Sequence, residues 1–114
     1  MPNDFSFGKN LRILKESDFL RIKSRGKRRT SKNLILLKLK NQVESKRVGF
    51  IVTRKIGKAN VRNKWKRYIR EFFRLNKGIF PEFTDCLFIV KRGALVPKNF
   101  KIFSNEIREI VERS

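Results

Sequence analysis

A chain of 114 residues is the length of one domain, and its 39% hydrophobic content, with eleven Phe, supplies the core that a disordered basic tail lacks. Thirty Lys and Arg against ten Asp and Glu leave a net charge of +20, and self-repulsion at that charge calls for a partner rich in phosphates. No apolar run nears the roughly eighteen residues of a membrane span and no signal-peptide stretch follows Met1, so a soluble, cytoplasmic protein with no membrane partner is expected.

The first dozen residues, with Pro2, Asn3, Asp4 and Gly8, show no clear period, which predicts an irregular entry over residues 1–10 and order from near Leu11. Ser17 as an N-cap hydroxyl, the apolar Phe19, Leu20 and Ile22, and Gly26 as terminator predict a short helix. Between Arg21 and Lys32 lie seven basic residues and no acidic one, the pattern either of a phosphate-facing loop or of a solvated charge run. Leu34 to Lys40 and Arg47 to Thr53 read as strands, joined as a hairpin through the polar stretch Asn41 to Lys46.

A long helix follows from about Ala59 to Asn76, ending near Gly78 and Pro81. Asp85 opens a strand that ends by Lys91 and is apolar on both faces, so it belongs in the centre of a sheet. Within it Cys86, the one cysteine, reads as a buried structural thiol. Pro97 can start a last helix in which Phe100, Phe103, Ile107 and Ile110 recur at helical spacing. This order of elements describes a single α+β domain, a two-layer α/β sandwich of about four strands packed with three helices. The strand order does not follow from the pattern.

At about 100° per residue, Arg62, Asn63, Lys66, Arg67, Arg70 and Arg74 fall within an arc of roughly 140° on the long helix. Val61, Trp65, Tyr68, Ile69, Phe72 and Leu75 take the opposite arc. Like charges at i, i+4 repel and destabilise such a helix on its own. Phosphates offset the repulsion, since Arg offers a planar fork for bidentate contact and Lys a mobile point charge. A merely solvated face would interleave Glu, yet Glu71 is the single acid in the helix. The polar arc therefore reads as an edge lying along an RNA backbone.

The segment Lys55 to Glu71 resembles the signature of the bacterial ribonuclease P protein family, a Lys-x-Gly-x-Ala approach leading into Arg-Asn-x-x-Lys-Arg-x-x-Arg-Glu. Lys55, Gly57, Ala59, Arg62, Asn63, Lys66, Arg67, Arg70 and Glu71 match it. Outside the motif the resemblance extends to Asp18-Phe19 with Gly26, to Arg47-Val48-Gly49, and to Asp85 ahead of an apolar strand ending in Lys91-Arg92. Three positions depart: Lys64 stands at the second Arg of the family's name motif, Lys23 where relatives often have an aromatic, and Leu37 where some have Tyr.

The resemblance implies an α/β sandwich with a left-handed βαβ crossover. It also implies that a partner RNA, the ribonuclease P RNA, is the catalyst and uses bound Mg²⁺ to cut precursor tRNA at the 5′ end of the mature sequence. Lys55, Lys58, Arg62, Asn63, Lys66, Arg67, Arg70 and Arg74 would then contact the partner RNA. A cleft between the first helix and the sheet would hold the single-stranded 5′ leader, with Phe19 its leading candidate and Lys23, Phe50 and Phe88 lesser ones; a place in the core is the alternative for each Phe and the stronger reading for Phe88. No small-molecule substrate and no cofactor intrinsic to the protein are implied. The residues agree on their own account that the protein lacks hydrolytic chemistry: there is no His to act as a base, and ten dispersed acids form no paired-carboxylate motif. A structural RNA-binding protein of ribosomal type is the alternative, disfavoured by the ordered motif. A protein-only nuclease is a third, disfavoured by the missing bases.

Overall fold

Four strands form one mixed sheet in the order β1-β2-β4-β3, where β1 is Lys27–Thr30, β2 Leu34–Lys40, β3 Arg47–Ile51 and β4 Thr84–Val90. This computed structural model describes residues 12, 13, 15–43 and 45–113, so the reading of residues 1–10 and of Leu11 lies outside the described residues. β1 and β2 form an antiparallel hairpin, β2 runs antiparallel to β4, and β3 runs parallel to β4. The hairpin expected between β2 and β3 is therefore absent, because β4 lies between them. Hydrophobicity gives the reason: six of the seven β4 residues are buried, and such a strand gains most with a neighbour on each side. The connection 41–46 passes the start of β4 instead of turning back, and the Asn41 backbone N–H donates to the Phe83 carbonyl at 2.7 Å.

Among the described residues three α-helices complete the domain: α1 (Glu16–Arg25), α2 (Ala59–Leu75) and α3 (Phe100–Arg113). A single 3₁₀ turn, Arg54–Ile56, leads from β3 into α2, and α2 returns the chain to β4, which gives a βαβ unit of neighbouring parallel strands. The helices are divided between the two faces of the sheet. On one face α2 contributes Trp65, Tyr68, Ile69, Phe72 and Phe73, and α3 contributes Phe103, Ile107, Ile110 and Val111, to a core with Leu34, Leu36, Val48, Cys86, Phe88 and Val90. On the other, Ile22 of α1 joins Ile13, Leu37 and Leu87 in a smaller cluster.

Several local expectations are corrected by packing. Ser17 lies inside α1, whose N-cap is Lys15 without a side-chain cap; Glu16 and Asp18 in the first turn favour that end through the helix dipole. Gly26 does follow α1, but with an ordinary φ of −71°. Glycine is needed there for space, since a Cβ would stand 2.5 Å from the Ile22 carbonyl oxygen and 3.3 Å from the Leu37 Cβ. On α2, Leu75 is 45% exposed and Phe73 fully buried. Phe73 falls between Arg62 and Lys66 on the wheel, yet the turn after the helix brings Phe80 against it, ring centroids 4.9 Å apart. Helix α3 starts at Phe100, not Pro97, because Asn99 caps it: its Oδ1 accepts the Ile102 N–H at 2.9 Å. The basic run from Arg21 is no loop; it forms the end of α1 and the edge strand β1.

Candidate nucleic-acid interface

The approach to α2 is set by Gly57, whose φ of 151° and ψ of −163° suit glycine and few side chains. Arg62 folds back on this turn, its Nε donating to the Gly57 carbonyl at 3.2 Å. Lys55 and Lys58 are exposed beside it, and the ridge continues along α2 through exposed Asn63, Arg67 and Arg70, with Arg62, Lys66 and Arg74 half-buried. The predicted polar arc thus forms one continuous basic edge. Arg74 is the member least free to leave it, being ion-paired with Glu71. With no side-chain cap at Lys58 and no acid in the first turn, α2 owes its stability to the buried arc and not to its own ends.

The cleft comes from the way α1 crosses the sheet. Gly49 of β3 lets the helix sit close: a Cβ there would stand 3.2 Å from both Ile13 and Phe19. From Phe19 over β3 the helix runs across the strands to Gly26 beside Leu37 of β2. Beneath it lies the cross-strand row Arg28, Leu37, Leu87 and Gly49. The next row on the same face is Thr30, Ile35, Ile89 and Ile51, which α1 does not cover: Thr30 is exposed and the three isoleucines are half-buried. A groove results, with α1 as its wall and this row as its floor. At the β3 end it meets a shallow, open cavity of about 470 Å³ lined by Glu16, Phe19, Phe50, Ile51, Val52 and Lys66.

Of the residues expected in a leader cleft, the structure brings Phe19 and Phe50 together and adds Lys66 from the basic ridge. Phe50 points to the α2 face and reaches the cavity because β3 is an edge strand; the Arg70 guanidinium lies 5.4 Å from its ring centroid. Lys23 is exposed one turn beyond Phe19, outside the cavity lining. Phe88 is not in the cleft. It is fully buried on the α2–α3 face, paired across the sheet with Phe50 and Leu36 and packed edge-on to Phe80.

One feature went unseen in the sequence, and a second was seen without its partners. The isoleucine floor was hidden because Ile35 and Ile89 sit in continuous apolar runs whose open face no period marks. The second is the carboxylate of Asp85, 0% exposed at the start of β4. It accepts bonds from Arg47 Nε and Nη2, both at 2.8 Å, from Arg21 Nη2 at 2.9 Å and from Asn41 Nδ2 at 2.7 Å. Asp18 joins from α1, 3.5 Å from Arg47. Burial alone would raise the Asp85 pKa, but the bonds from Arg47 and Asn41, the Arg47 charge and the Arg21 bond outweigh it and hold the carboxyl below its usual range. The visible signal was a lone acid opening an apolar strand, with an Arg opening the strand beside it.

Among the described residues no three His, Cys, Asp or Glu side chains converge as metal ligands. Burial pushes the Cys86 thiol up to about 12, which fits a structural residue and not a nucleophile.

The sequence pattern of the family described as Ribonuclease P matches residues 7–114. The chain belongs to the ribonuclease P protein family. Its relatives include the ribonuclease P protein component of Thermotoga maritima, 40% identical over 87 residues that cover 76% of this chain and 74% of the relative. That of Geotalea uraniireducens is 35% identical over 109 residues, covering 96% and 95% of the two chains. The fold is similar to the solved RNase P protein of Staphylococcus aureus, with a TM-score of 0.81, 27% identity and coverage of 90% of this chain and 94% of that one. For the RNase P protein from Thermotoga maritima the TM-score is 0.79 at 32% identity, covering 90% and 96%. Membership in this family makes the protein a component of ribonuclease P, the ribonucleoprotein that processes tRNA 5′ ends, and a partner of its RNA. The reading as a ribosomal-type structural protein gives way to it.

Proposed function

We propose that the protein divides two RNA contacts between two elements: the α2 ridge holds the ribonuclease P RNA, and the groove beside α1 holds the 5′ leader of precursor tRNA. The observation that carries this reading is the groove itself. It is an apolar floor left open beside a helix that could have covered it, with Phe19 on its wall and Lys66 of the basic ridge at its end. An unpaired base finds a ring face and aliphatic floor there, while its phosphate meets an ammonium. Few hydrogen-bond donors line the cavity, so the contact is tolerant of leader sequence. Because Lys66 belongs to both surfaces, leader and partner RNA lie side by side, and the protein binds and orients the strand that the RNA cuts. Mg²⁺ held mainly by the RNA supplies the hydrolytic chemistry.

The test compares precursor tRNA with mature tRNA as ligands for the holoenzyme. Phe19→Ala should weaken binding of the precursor by about 1 to 3 kcal/mol and leave mature tRNA nearly unaffected. Equal losses for the two ligands would remove Phe19 from leader recognition and overturn the reading.

A further inference from the structure

The groove does not stop at the isoleucines. Its floor row ends on Thr30 in β1, the free edge of the sheet. All four β1 residues, Lys27 to Thr30, are exposed. Arg28 shares the groove face with Leu37, while Lys27 and Arg29, paired with Lys38 and Leu36, project on the opposite face, so cations wrap the edge. Lys23, on the groove flank of α1, is exposed beside it, whereas Arg25 lies on the opposite flank with Asp18, Arg21 and Arg47. Among the described residues, none of the four side chains Lys23, Lys27, Arg28 and Arg29 is paired with a carboxylate. They lie at the opposite end of the groove from Lys66.

Charged edge strands are common because they deter pairing with another chain, and one Lys is enough for that. Three consecutive cations with Lys23 behind them, at the mouth of a groove, call for a different account. Salt screens part of their mutual repulsion, and a polyanion offsets it more fully. In an extended strand, Lys27 and Arg29 stand about 7 Å apart along the edge, with Arg28 between them on the other face. A flexible single strand leaving the groove can be flanked by both sets.

We infer that β1 is an exit track for the single-stranded leader: the nucleotides farthest from the cleavage site pass over the sheet edge, their phosphates held by Lys27, Arg28 and Arg29. This rests on the proposed leader groove and extends it to residues outside the cavity. The track predicts that long leaders bind better than short ones, and that the difference resides in β1.

The experiment uses the assembled holoenzyme and precursor tRNAs with either a short leader that ends within the groove or a long one that passes β1. The triple variant Lys27→Gln, Arg28→Gln and Arg29→Gln should bind the short-leader substrate and the ribonuclease P RNA as wild type does. It should lose on the order of tenfold in affinity for the long-leader substrate, the sum of three screened phosphate contacts. The salt slope for that substrate should flatten by about 2. Normal short-leader binding shows that the variant is folded and assembled. If the variant keeps the wild-type advantage for long leaders, or loses equally with both lengths, the exit track is wrong while the groove stands. Weaker assembly with the partner RNA would make β1 an assembly surface and overturn the inference. If wild type itself gains nothing from any leader, the groove reading falls first and the track with it.

Discussion

On the α2–α3 side of the sheet Trp65, Phe72, Phe73, Phe88 and Phe103 are all fully buried, whereas among the described residues the cluster on the α1 side has four buried members and Ile35, Ile51 and Ile89 are left half-open beside it. Each ring on the first side contributes about 1.5 to 3 kcal/mol by burial, so that side holds the fold together. The small cluster on the other side cannot fix α1 alone. There the Asp85 network clamps one flank of the helix, and the opposite flank is free to border a groove. The contrast teaches that one face of a sheet can be left unfinished when the other is sealed and a buried ion pair fixes the cover.

The sharpest way to break this contrast is to hollow the sealed side. Phe88→Ala should cost about 3 to 5 kcal/mol in chemical denaturation, through lost burial and the cavity left behind. It should lower the affinity for precursor and mature tRNA only in proportion to the fraction unfolded. A selective loss of leader binding by a folded Phe88→Ala protein would contradict its place in the core.

Next in size is the clamp. Asp85→Asn leaves Arg47 and Arg21 without their carboxylate and should cost about 3 kcal/mol, the lower end for a broken buried pair because Arg21 is partly exposed and can rehydrate. The pH dependence has a definite sign. Since Asp85 titrates below its unfolded value of 3.8, its contribution is complete above that value and is lost as pH falls through the depressed folded one. Acid titration of stability should therefore show a limb below about pH 4 that Asp85→Asn flattens. An unchanged limb would assign it to other carboxylates.

The smallest effect belongs to the exposed ridge. Arg67→Ala should leave stability within about 0.5 kcal/mol, as for other surface sites, yet reduce the salt slope of partner-RNA binding by roughly one. Arg62→Ala should differ, because its bond to the Gly57 carbonyl also shapes the approach to α2, so a small loss of stability accompanies weaker assembly. Identical behaviour of the two variants would mean that this bond does not shape the turn.

What the sequence made legible follows the range of each interaction. The ridge of α2 was readable because helical spacing alone gathers Arg62, Lys66 and Arg70, and the central place of β4 because Cys86 to Val90 is apolar on both faces. Long-range geometry was not readable. Nothing local in Asn41 to Lys46 says that another strand will enter between β2 and β3. Phe88 was separable from Phe19 in part, since its strand is apolar on both faces and so favours a place in the core, but which side of the sheet each ring occupies was not readable. Asp85 was noticed as part of a resemblance, but its partners Arg21 and Asn41 lie 64 and 44 residues away.

The insertion of β4 between β2 and β3 also orders events during translation. Until residues 84–90 have left the ribosome, β2 and β3 each lack the neighbour that holds them, and only the β1–β2 hairpin has its partner at hand. The emerging chain must carry its basic α2 and two unsatisfied strands until that late segment closes the sheet. Folding should then be slow for the protein's size and vulnerable to aggregation in the interval, since it waits on a contact distant in sequence.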